Sequence, residues 1–273
     1  MRVAVVGHVE WCEFAAVPHV PAPGEIVHAS ATFEEPAGGG AVAAVQLCKL
    51  AGSATLFTAF GDDETGHRSH AELIEHGLEL ESTFRPEPQR RAFVHLDEPG
   101  ERTITVLGPR LGPYGADPLD WTRLDNADAV YVTAGDPEVI RQARRAATLV
   151  ATPRGLEALA ESGVQLDALV SSGRDPGEVY RAGDLDPAPK VIVRTAGSAG
   201  GEWETAAGER GNWGPAPLPG PIRDAYGAGD SFAAGLTYGL GAGWEIDRAV
   251  ELAARCGAAC LTGRGPYQGQ LTL

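Results

Sequence analysis

Several residue types on which whole enzyme classes depend are rare in this sequence of 273 residues. It has only two lysines, Lys49 and Lys190, and neither follows a glycine. A P-loop needs a Gly-Lys-Ser/Thr segment for its phosphate-binding turn, so the P-loop NTPases are excluded. The sequence also has only two asparagines, Asn126 and Asn212.

Cysteines and long apolar runs are scarce as well. Four cysteines without a signal peptide do not suggest a disulfide framework. Cys256 and Cys260 lie in an Ala-rich segment, where two buried thiols on one helix face are favoured over a metal pair. No apolar run reaches the roughly 18 residues of a membrane span. We therefore expect a cytoplasmic protein with no membrane partner.

Acidic residues outnumber basic ones, 37 to 22, which gives a net charge of −15. A field of this sign repels the backbone of nucleic acids, so we expect no nucleic-acid partner. A small phosphate ligand is not excluded, because backbone N–H groups at a helix N-terminus can bind an anion.

Apolar segments along the chain predict an α/β fold, because short buried strands alternate with helices. The predicted strands are 3–6, 54–60, 129–133, 148–151, 168–171 and 191–194. The predicted helices are 40–50, 67–76, 137–147, 228–241 and 245–261. This alternation indicates a parallel sheet covered on both faces, in a single domain spanning 1–273.

Two segments interrupt the alternation. Residues 9–33 contain a Pro- and Gly-rich turn between two short strands, and residues 91–106 have the pattern of a hairpin around 97–100. We expect these two segments to form a small lid over the open end of the sheet. Residues 200–213 read as a further hairpin.

The densest chemical signal is the segment Asp224–Gly235. Its glycines, Gly227 and Gly229, allow a tight turn in which successive N–H groups point at one spot. An apolar helix begins there, and its dipole favours negative charge at the same place. Asp230 lies in the first helical turn, where a carboxylate could take a proton from an attacking hydroxyl.

This segment resembles the second signature of the ribokinase-like (PfkB) carbohydrate kinases, Asp-Thr-x-Gly-Ala-Gly-Asp-x-Phe-x-x-Gly, and departs only at Ala225. Further motifs follow in family order over nearly the whole chain: Gly7, 23–25, 38–40, 61–66, 97–103 and 195–200. The resemblance implies a ribokinase-like three-layer α/β/α sandwich with a small β-strand lid. It also implies transfer of the γ-phosphoryl of ATP, with Mg²⁺, to a hydroxyl of a sugar or nucleoside.

The same resemblance implies roles for single residues. Asp230 would be the catalytic base, and an anion hole around the transferred phosphoryl would be formed by Gly227, Ala228 and Gly229. The residues expected to approach the nucleotide are Thr195, Gly197, Gly200 and Gly263. The glycines expected on the acceptor side are Gly38, Gly39 and Gly40.

The acceptor side departs from the family pattern. Where the family has an asparagine that holds sugar hydroxyls, this chain has Val42 or, one register on, Ala43. Cys12 stands where the family has an aspartate. Glu10 or Glu13 could replace that aspartate, or both could be exposed lid carboxylates.

Trp11 could stack on a sugar or base, or pack within the lid. Together with Val42 it favours a less polar pocket than a typical pentose site, and hence a nucleoside or a deoxygenated sugar as the acceptor.

The family's Asn-x-x-Glu motif, tied to Mg²⁺ and phosphate, is also altered. Ser172 and Asp175 keep its spacing, and Glu178 could serve instead, so Asp175 and Glu178 are the candidate metal residues. Arg174 could contact a phosphate directly. His67 and His70 lack a third ligand of suitable spacing, so solvated helix positions are favoured over a metal site.

The leading hypothesis is therefore an ATP-dependent small-molecule kinase. A non-catalytic sugar or nucleotide sensor on the same scaffold is the alternative, favoured by the altered acceptor and metal motifs and opposed by the retained Asp230. A dinucleotide oxidoreductase lacks its Gly-x-Gly-x-x-Gly after the first strand. Lid strands with open edges favour a homodimer through the lid.

Overall fold

The structure, a computed structural model, describes residues 1–98 and 100–273. Its strands are β1 (Val3–Val6), β2 (Glu10–Ala16), β3 (Ala31–Ala37), β4 (Thr55–Gly61), β5 (Glu79–Arg85), β6 (Arg91–Leu96), β7 (Arg102–Leu107), β8 (Ala129–Val132), β9 (Thr148–Ala151), β10 (Ala168–Ser172), β11 (Val191–Thr195), β12 (Gly201–Thr205) and β13 (Arg210–Trp213). Its α-helices are α1 (Gly39–Ala51), α2 (Glu64–Glu75), α3 (Pro137–Ala143), α4 (Leu156–Ser162), α5 (Ala228–Gly241), α6 (Ile246–Cys260) and α7 (Gly265–Gln268). The predicted turn at 97–100 includes Pro99, which lies outside the described residues.

Helix boundaries follow local capping chemistry. The Asp63 carboxylate accepts a hydrogen bond from the Gly66 N–H at the start of α2. Asp136 caps α3 in the same way, with Pro137 at the first helical position. Gly52, at φ +85°, ends α1 in the left-handed conformation.

The larger sheet of the described chain has nine strands in the order β13-β12-β11-β10-β9-β8-β1-β4-β5. Neighbouring strands from β11 to β5 are parallel, while β12 and β13 form an antiparallel hairpin at one edge. Parallel strands end at the same side of a sheet. The loops after β1, β8, β9, β10 and β11 therefore meet there, which is where open α/β sheets bind their ligands.

Helices cover both faces of this sheet because successive strand residues point to opposite sides. Val3 and Val5 of β1 belong to a core that includes apolar residues of α1, α5 and α6. Ala4 and Val6 belong to a second core with residues of α3 and α4. The layers are thus helix, sheet and helix, and the predicted three-layer α/β/α sandwich is confirmed.

Four strands form a separate small sheet in the order β3-β2-β6-β7. Its inner face packs on the loop that precedes α5: the Phe14 ring lies edge-on to Tyr226 at 5.1 Å between centroids. The Cys12 Sγ lies 3.2 Å from the Tyr226 hydroxyl oxygen. We call these four strands the small sheet.

Most predicted elements are present, with shifted ends. Helix α3 ends at Ala143 rather than 147, and β3 runs to Ala37, beyond the predicted limit of 33. Strand β5 carries four charged or hydroxyl residues in its first five and was not predicted. Within the described residues, no helix has the length and apolar character needed to cross a membrane.

Candidate active site

The N-terminus of α5 lies at the carboxyl ends of the parallel strands. Gly227 precedes the helix at φ +79°, and a Cβ built there would lie 2.9 Å from both Val42 Cγ1 and Pro266 Cβ. Only glycine fits this position, because both the dihedral and the space exclude a side chain. The turn leaves the first N–H groups of α5 facing outward from the helix end, where they can bind an anion.

Asp224 holds this turn in place through hydrogen bonds to backbone N–H groups. Its buried carboxylate accepts hydrogen bonds from the Tyr226 N–H at 2.8 Å and from the Gly265 N–H at 2.9 Å. The Tyr226 ring is buried between the small sheet and the loop, and its hydroxyl accepts a hydrogen bond from the Gly38 N–H at 3.2 Å. The loop before α5 is therefore held to both the small sheet and the C-terminal segment.

Asp230 is half-buried in the first turn of α5. Burial raises the pKa of its carboxyl to about 6, and the negative charge of Glu178 acts in the same direction. Arg154 and Arg102 oppose that increase. A carboxylate with this pKa is ionised at neutral pH and still basic enough to accept a proton.

The glycines at the start of α1 allow the close approach of this carboxylate. A Cβ on Gly39 would lie 2.9 Å from Asp230 Oδ1 and 3.7 Å from His8 Cε1. A Cβ on Gly40 would lie 2.7 Å from the His8 carbonyl oxygen, and one on Gly38 would touch Glu10. The absence of side chains at the predicted acceptor-side glycines thus lets Asp230, His8 and Glu10 lie close to the start of α1.

Three polar side chains form the wall opposite Asp230. His8 Nε2 lies 3.5 Å from Glu10 Oε1, and the Arg90 Nε lies 2.6 Å from the same oxygen. Burial opposes ionisation of Glu10, but His8 and Arg90 hold its pKa below the usual range. His8 Nδ1 is buried and has no hydrogen-bond partner in the part of the chain that the structure describes.

The His8 ring is neutral at pH 7, because burial lowers its pKa despite the neighbouring Glu10. With the Nε2 proton directed at the Glu10 carboxylate, Nδ1 keeps a lone pair that can accept a hydrogen bond from a ligand hydroxyl.

Arg154 joins the two candidate metal residues. Its Nε donates to Glu178 Oε1 at 2.8 Å, and its terminal nitrogen pairs with Asp175. Glu178 also accepts from the Ser172 N–H at 2.9 Å. Asp175 caps the short turn Pro176–Glu178, which gives it a structural part.

A magnesium ion in a kinase is usually held by one or two carboxylates together with nucleotide phosphates and water. No cluster of three or more potential metal-ligating side chains occurs in 1–98 and 100–273. Glu178 is the better candidate of the two, because its charge acts on Asp230 and raises the pKa of that carboxyl. Asp175 has the weaker case, since it is engaged in the turn.

The predicted nucleotide loop follows β11. Thr195 Oγ1 donates to the Ser171 carbonyl at 3.4 Å, and Gly197, at φ +61°, lies under the Arg174 guanidinium. Gly200, at φ +88°, leaves no room for a side chain beside the Trp213 carbonyl. Gly263 packs directly against Gly269. Gly200 and Gly263 therefore shape this region through backbone packing rather than by presenting a group to a ligand.

Trp11 and Glu13 point away from the site around Asp230, which corrects their predicted place at the acceptor. They lie on the face of β2 opposite Cys12, since side chains alternate along a strand. Trp11 is 2% exposed, donates to Glu34, and is covered by the Arg68 guanidinium. Glu13 pairs with Arg91 on the same face.

The predicted place of Val42 at the acceptor is also corrected. It is fully buried in α1 against Gly227, and its carbonyl oxygen accepts from Gln270 Nε2 at 2.9 Å. The apolar pocket inferred from Val42 and Trp11 is absent from the described site, because neither side chain lines it. The walls of the site are polar instead.

The side chains missed by sequence reasoning are His8, Arg90, Arg102, Arg110 and Arg154. Four of them are arginines. Arginine side chains are mostly exposed to solvent in proteins, so the sequence alone gave no reason to place them in a site. His8 carried the one available signal, because it lies two residues after a buried strand at the ligand-binding edge of the sheet.

Comparison with known proteins identifies the family. The family model for pfkB family carbohydrate kinases matches residues 1–172 and 180–272. An ATP-dependent ribose-1-phosphate kinase of Halopiger xanaduensis is 31% identical over an alignment of 286 positions, which covers 94% of this chain and 91% of that protein.

Solved structures share the fold. Ribokinase of Cryptococcus neoformans in complex with ADP superposes with a TM-score of 0.77 at 24% identity, over 100% of this chain and 97% of that chain. Arabidopsis thaliana ribokinase complexed with ribose and ATP gives a TM-score of 0.78 at 20% identity, over 98% and 95%. The catalytic-loop sequence, the three-layer fold and the family match agree, so this chain belongs to the pfkB family of carbohydrate kinases.

Proposed function

We propose that this enzyme transfers the γ-phosphoryl group of ATP to a hydroxyl of a phosphorylated pentose, with ribose 1-phosphate as the first acceptor to test. The observation that carries the proposal is the position of Asp230 at the N-terminus of α5, with its pKa raised to about 6. The ribose-1-phosphate kinase of Halopiger xanaduensis supports the choice of acceptor.

Asp230 acts as the general base. Its carboxylate accepts the proton of the acceptor hydroxyl as that oxygen attacks the γ-phosphorus and the bond to the β-phosphate oxygen breaks. Gly39 leaves room for the acceptor beside Oδ1, because any side chain there would meet the carboxylate.

The transferred phosphoryl group is stabilised by the helix end. The N–H groups of Gly227, Ala228 and Gly229 face the charge that the phosphoryl oxygens carry during transfer. Arg154 adds positive charge that acts on Asp230.

The nucleotide lies over the loop after β11. Gly197 lets the backbone approach it closely, Thr195 supports the loop, and Arg174 supplies a guanidinium for its phosphates. Gly200 and Gly263 shape the loops that surround it.

Mg²⁺ neutralises the nucleotide phosphates when it is bound. In this chain Glu178 is the carboxylate that would hold its water ligands, with Asp175 as the second candidate. Arg154 keeps both carboxylates in place.

The small sheet acts as a lid. Arg102 of β7 donates to the Ala225 carbonyl at 3.3 Å, and the Ala225 N–H donates to the Gly100 carbonyl at 3.1 Å. These bonds tie the lid to the catalytic loop, so closure can exclude water that would otherwise accept the phosphoryl group.

A homodimer through the lid belongs to the same proposal. Strand β7 is an edge of the small sheet and exposes Ile104, Val106 and Leu107 by 40%, 43% and 45%. Sedimentation showing a monomer at all protein concentrations would remove the dimer.

The kinase is tested by ATP turnover on ribose 1-phosphate, ribose, ribose 5-phosphate and adenosine, with Mg²⁺. We expect turnover on ribose 1-phosphate, and a loss of about 100- to 10,000-fold in kcat for Asp230→Asn. Asp184→Asn, which removes a carboxylate from a surface turn, is the matched control. ATP and sugar binding without turnover would instead favour the sensor hypothesis, which the comparisons do not support.

A further inference from the structure

A buried glutamine lies where the small sheet joins the larger sheet. Gln89 precedes β6 and is 2% exposed. Its Oε1 accepts a hydrogen bond from the Gly61 N–H at 3.0 Å, and its Nε2 donates to the Val9 carbonyl at 2.9 Å. One side-chain amide thus joins three segments: the β5–β6 connection, the end of β4, and the β1–β2 connection.

The backbone of Gln89 is held as well. Its N–H donates to Asp63 Oδ2 at 3.0 Å, while Asp63 Oδ1 caps α2. A Cβ on Gly61 would lie 2.1 Å from the Gln89 nitrogen, so β4 approaches Gln89 at a distance that only glycine allows. Gln89 is therefore fixed to β4 and to the start of α2, which both lie outside the small sheet.

The neighbours of Gln89 and Val9 in the chain form the polar side of the site. Arg90 is the next residue after Gln89, and its Nε lies 2.6 Å from Glu10 Oε1. Glu10 is the next residue after Val9. The Trp11 N–H donates to the Arg90 carbonyl at 2.9 Å, where the pairing of β2 with β6 begins. Because Gln89 holds both connections, it sets how Arg90 and Glu10 meet.

The β1–β2 connection also lies against the glycines at the start of α1. A Cβ on Gly38 would lie 3.1 Å from the Glu10 nitrogen and 3.2 Å from Glu10 Cγ. A Cβ on Gly39 would lie 3.7 Å from His8 Cε1 and 2.9 Å from Asp230 Oδ1. A shift of this connection therefore moves Glu10 and His8 relative to the space beside Asp230.

We infer that Gln89 is a positioning residue for the acceptor: its amide holds the β1–β2 and β5–β6 connections together and keeps Glu10 beside Arg90 in the wall opposite Asp230. The inference rests on the proposed function, because it concerns the acceptor side of that same reaction. Gln89 acts through Arg90 and Glu10 rather than by contact with the reacting atoms.

Gln89→Met tests this role, with Gln46→Met as the matched control. Gln46 is fully buried in α1 and makes a comparable pair of bonds: its Nε2 donates to the Leu271 carbonyl at 2.8 Å, and its Oε1 accepts from the Leu271 N–H at 3.2 Å. Each substitution keeps the length of the side chain and leaves one backbone carbonyl and one N–H without that partner. We expect both variants to lose about 2–8 °C in Tm.

Only Gln89→Met should change acceptor recognition. We expect its KM for ribose 1-phosphate to rise about tenfold, because the wall is displaced, while kcat and the KM for ATP stay within about twofold. Gln46→Met should leave all three parameters within about twofold of the wild type. An unchanged acceptor KM in Gln89→Met, the same rise in both variants, or an equal rise in the KM for ATP would overturn the assignment.

Hydrogen exchange without substrates separates this inference from the kinase proposal. In the wild type, the Gly61 amide should exchange as slowly as the other amides of β4, because Gln89 Oε1 is its partner. Exchange more than about tenfold faster than theirs would show that the bond to Gln89 is not kept, and would overturn the assignment even if Gln89→Met did not fold.

In Gln89→Met, amides of 8–12 and 88–92 should exchange at least about tenfold faster than in the wild type, and in Gln46→Met they should not. If that difference appears while no acceptor is phosphorylated, the role of Gln89 in holding the wall stands and the kinase proposal fails. If an acceptor is phosphorylated with the same KM by Gln89→Met and the wild type, the kinase proposal stands and the positioning role is wrong.

Discussion

The transfer end and the acceptor end of the cleft are built in different ways. The transfer end is one continuous segment, Asp224–Gly235, in which a turn and a helix end place Asp230. The proposed acceptor end combines His8 and Glu10 with Arg90 from a separate segment. The transferred group is the same for every acceptor, so backbone geometry suffices for it. The acceptor varies, so its recognition depends on exchangeable side chains.

Gly227→Ala should cause the largest loss of activity and should disturb the transfer end without changing the acceptor end. The new Cβ would meet Val42 and Pro266, and φ +79° is unfavourable for alanine. We expect kcat to fall more than about 100-fold and stability to fall by about 1–3 kcal/mol. Chemical denaturation and steady-state kinetics measure both, and near wild-type kcat would show that the helix end is not the anion hole.

Gly39→Ala tests the point where the two ends meet. A methyl group 2.9 Å from Asp230 Oδ1 should hinder the acceptor and the base together, because the added group occupies their shared space. We expect a loss of about 10- to 100-fold in kcat/KM for the acceptor, with little change in Tm. Gly214→Ala, where a Cβ meets no neighbour within 4 Å, is the control. Unchanged acceptor kinetics would contradict this placement of the acceptor.

The pH profile tests Asp230 within the transfer end. Because burial raises its pKa to about 6, the basic form is lost as pH falls through that value. We expect kcat/KM to be about tenfold lower at pH 5 than on the plateau above pH 7. Glu178→Gln removes the charge that most raises this pKa, so the inflection should move to lower pH.

Glu251→Gln, on the exposed side of α6, is the control for that shift and should leave the inflection in place. An inflection that is insensitive to Glu178 would mean that another group titrates.

The smallest expected effect is on stability and concerns Glu35, which lies where the small sheet contacts the rest of the protein. Its buried Oε1 has no hydrogen-bond partner in the described chain, and burial raises its pKa to about 7. The folded state therefore binds a proton that the unfolded state releases between the ordinary pKa of 4.5 and about 7, so stability falls as pH rises through this window.

Glu35→Gln should remove that dependence and raise Tm at pH 8 by about 2–4 °C. Scanning calorimetry at pH 5 and pH 8 measures it. A lower Tm at pH 8 would show that the ionised carboxylate has a stabilising partner.

The sequence allowed prediction of the fold and of the transfer end because both depend on local pattern. Apolar periodicity gave the buried strands, and Asp230 lies within a contiguous motif. The acceptor end could not be predicted in this way. Glu10 and Arg90 meet only because β2 pairs with β6 across some eighty residues of chain.

Trp11 and Glu13 show how such predictions fail. A strand presents alternate residues to opposite faces, so the correct segment was identified but the wrong face was chosen. Val42 failed for a different reason: its helix was correct, but the packing of α1 on Gly227 buries it completely.

The contrast between an acidic surface and an arginine-lined cleft has a consequence for ionic strength. The Debye length at physiological salt is about 8 Å, so salt weakens the distant repulsion between the acidic exterior and an approaching anion before it weakens contacts inside the cleft. Capture of ATP and of a sugar phosphate should therefore accelerate as salt is first added and slow only when screening reaches the guanidiniums. Stopped-flow association rates over a salt series would record that maximum, whereas a phosphate-binding protein with a basic exterior shows only a decline.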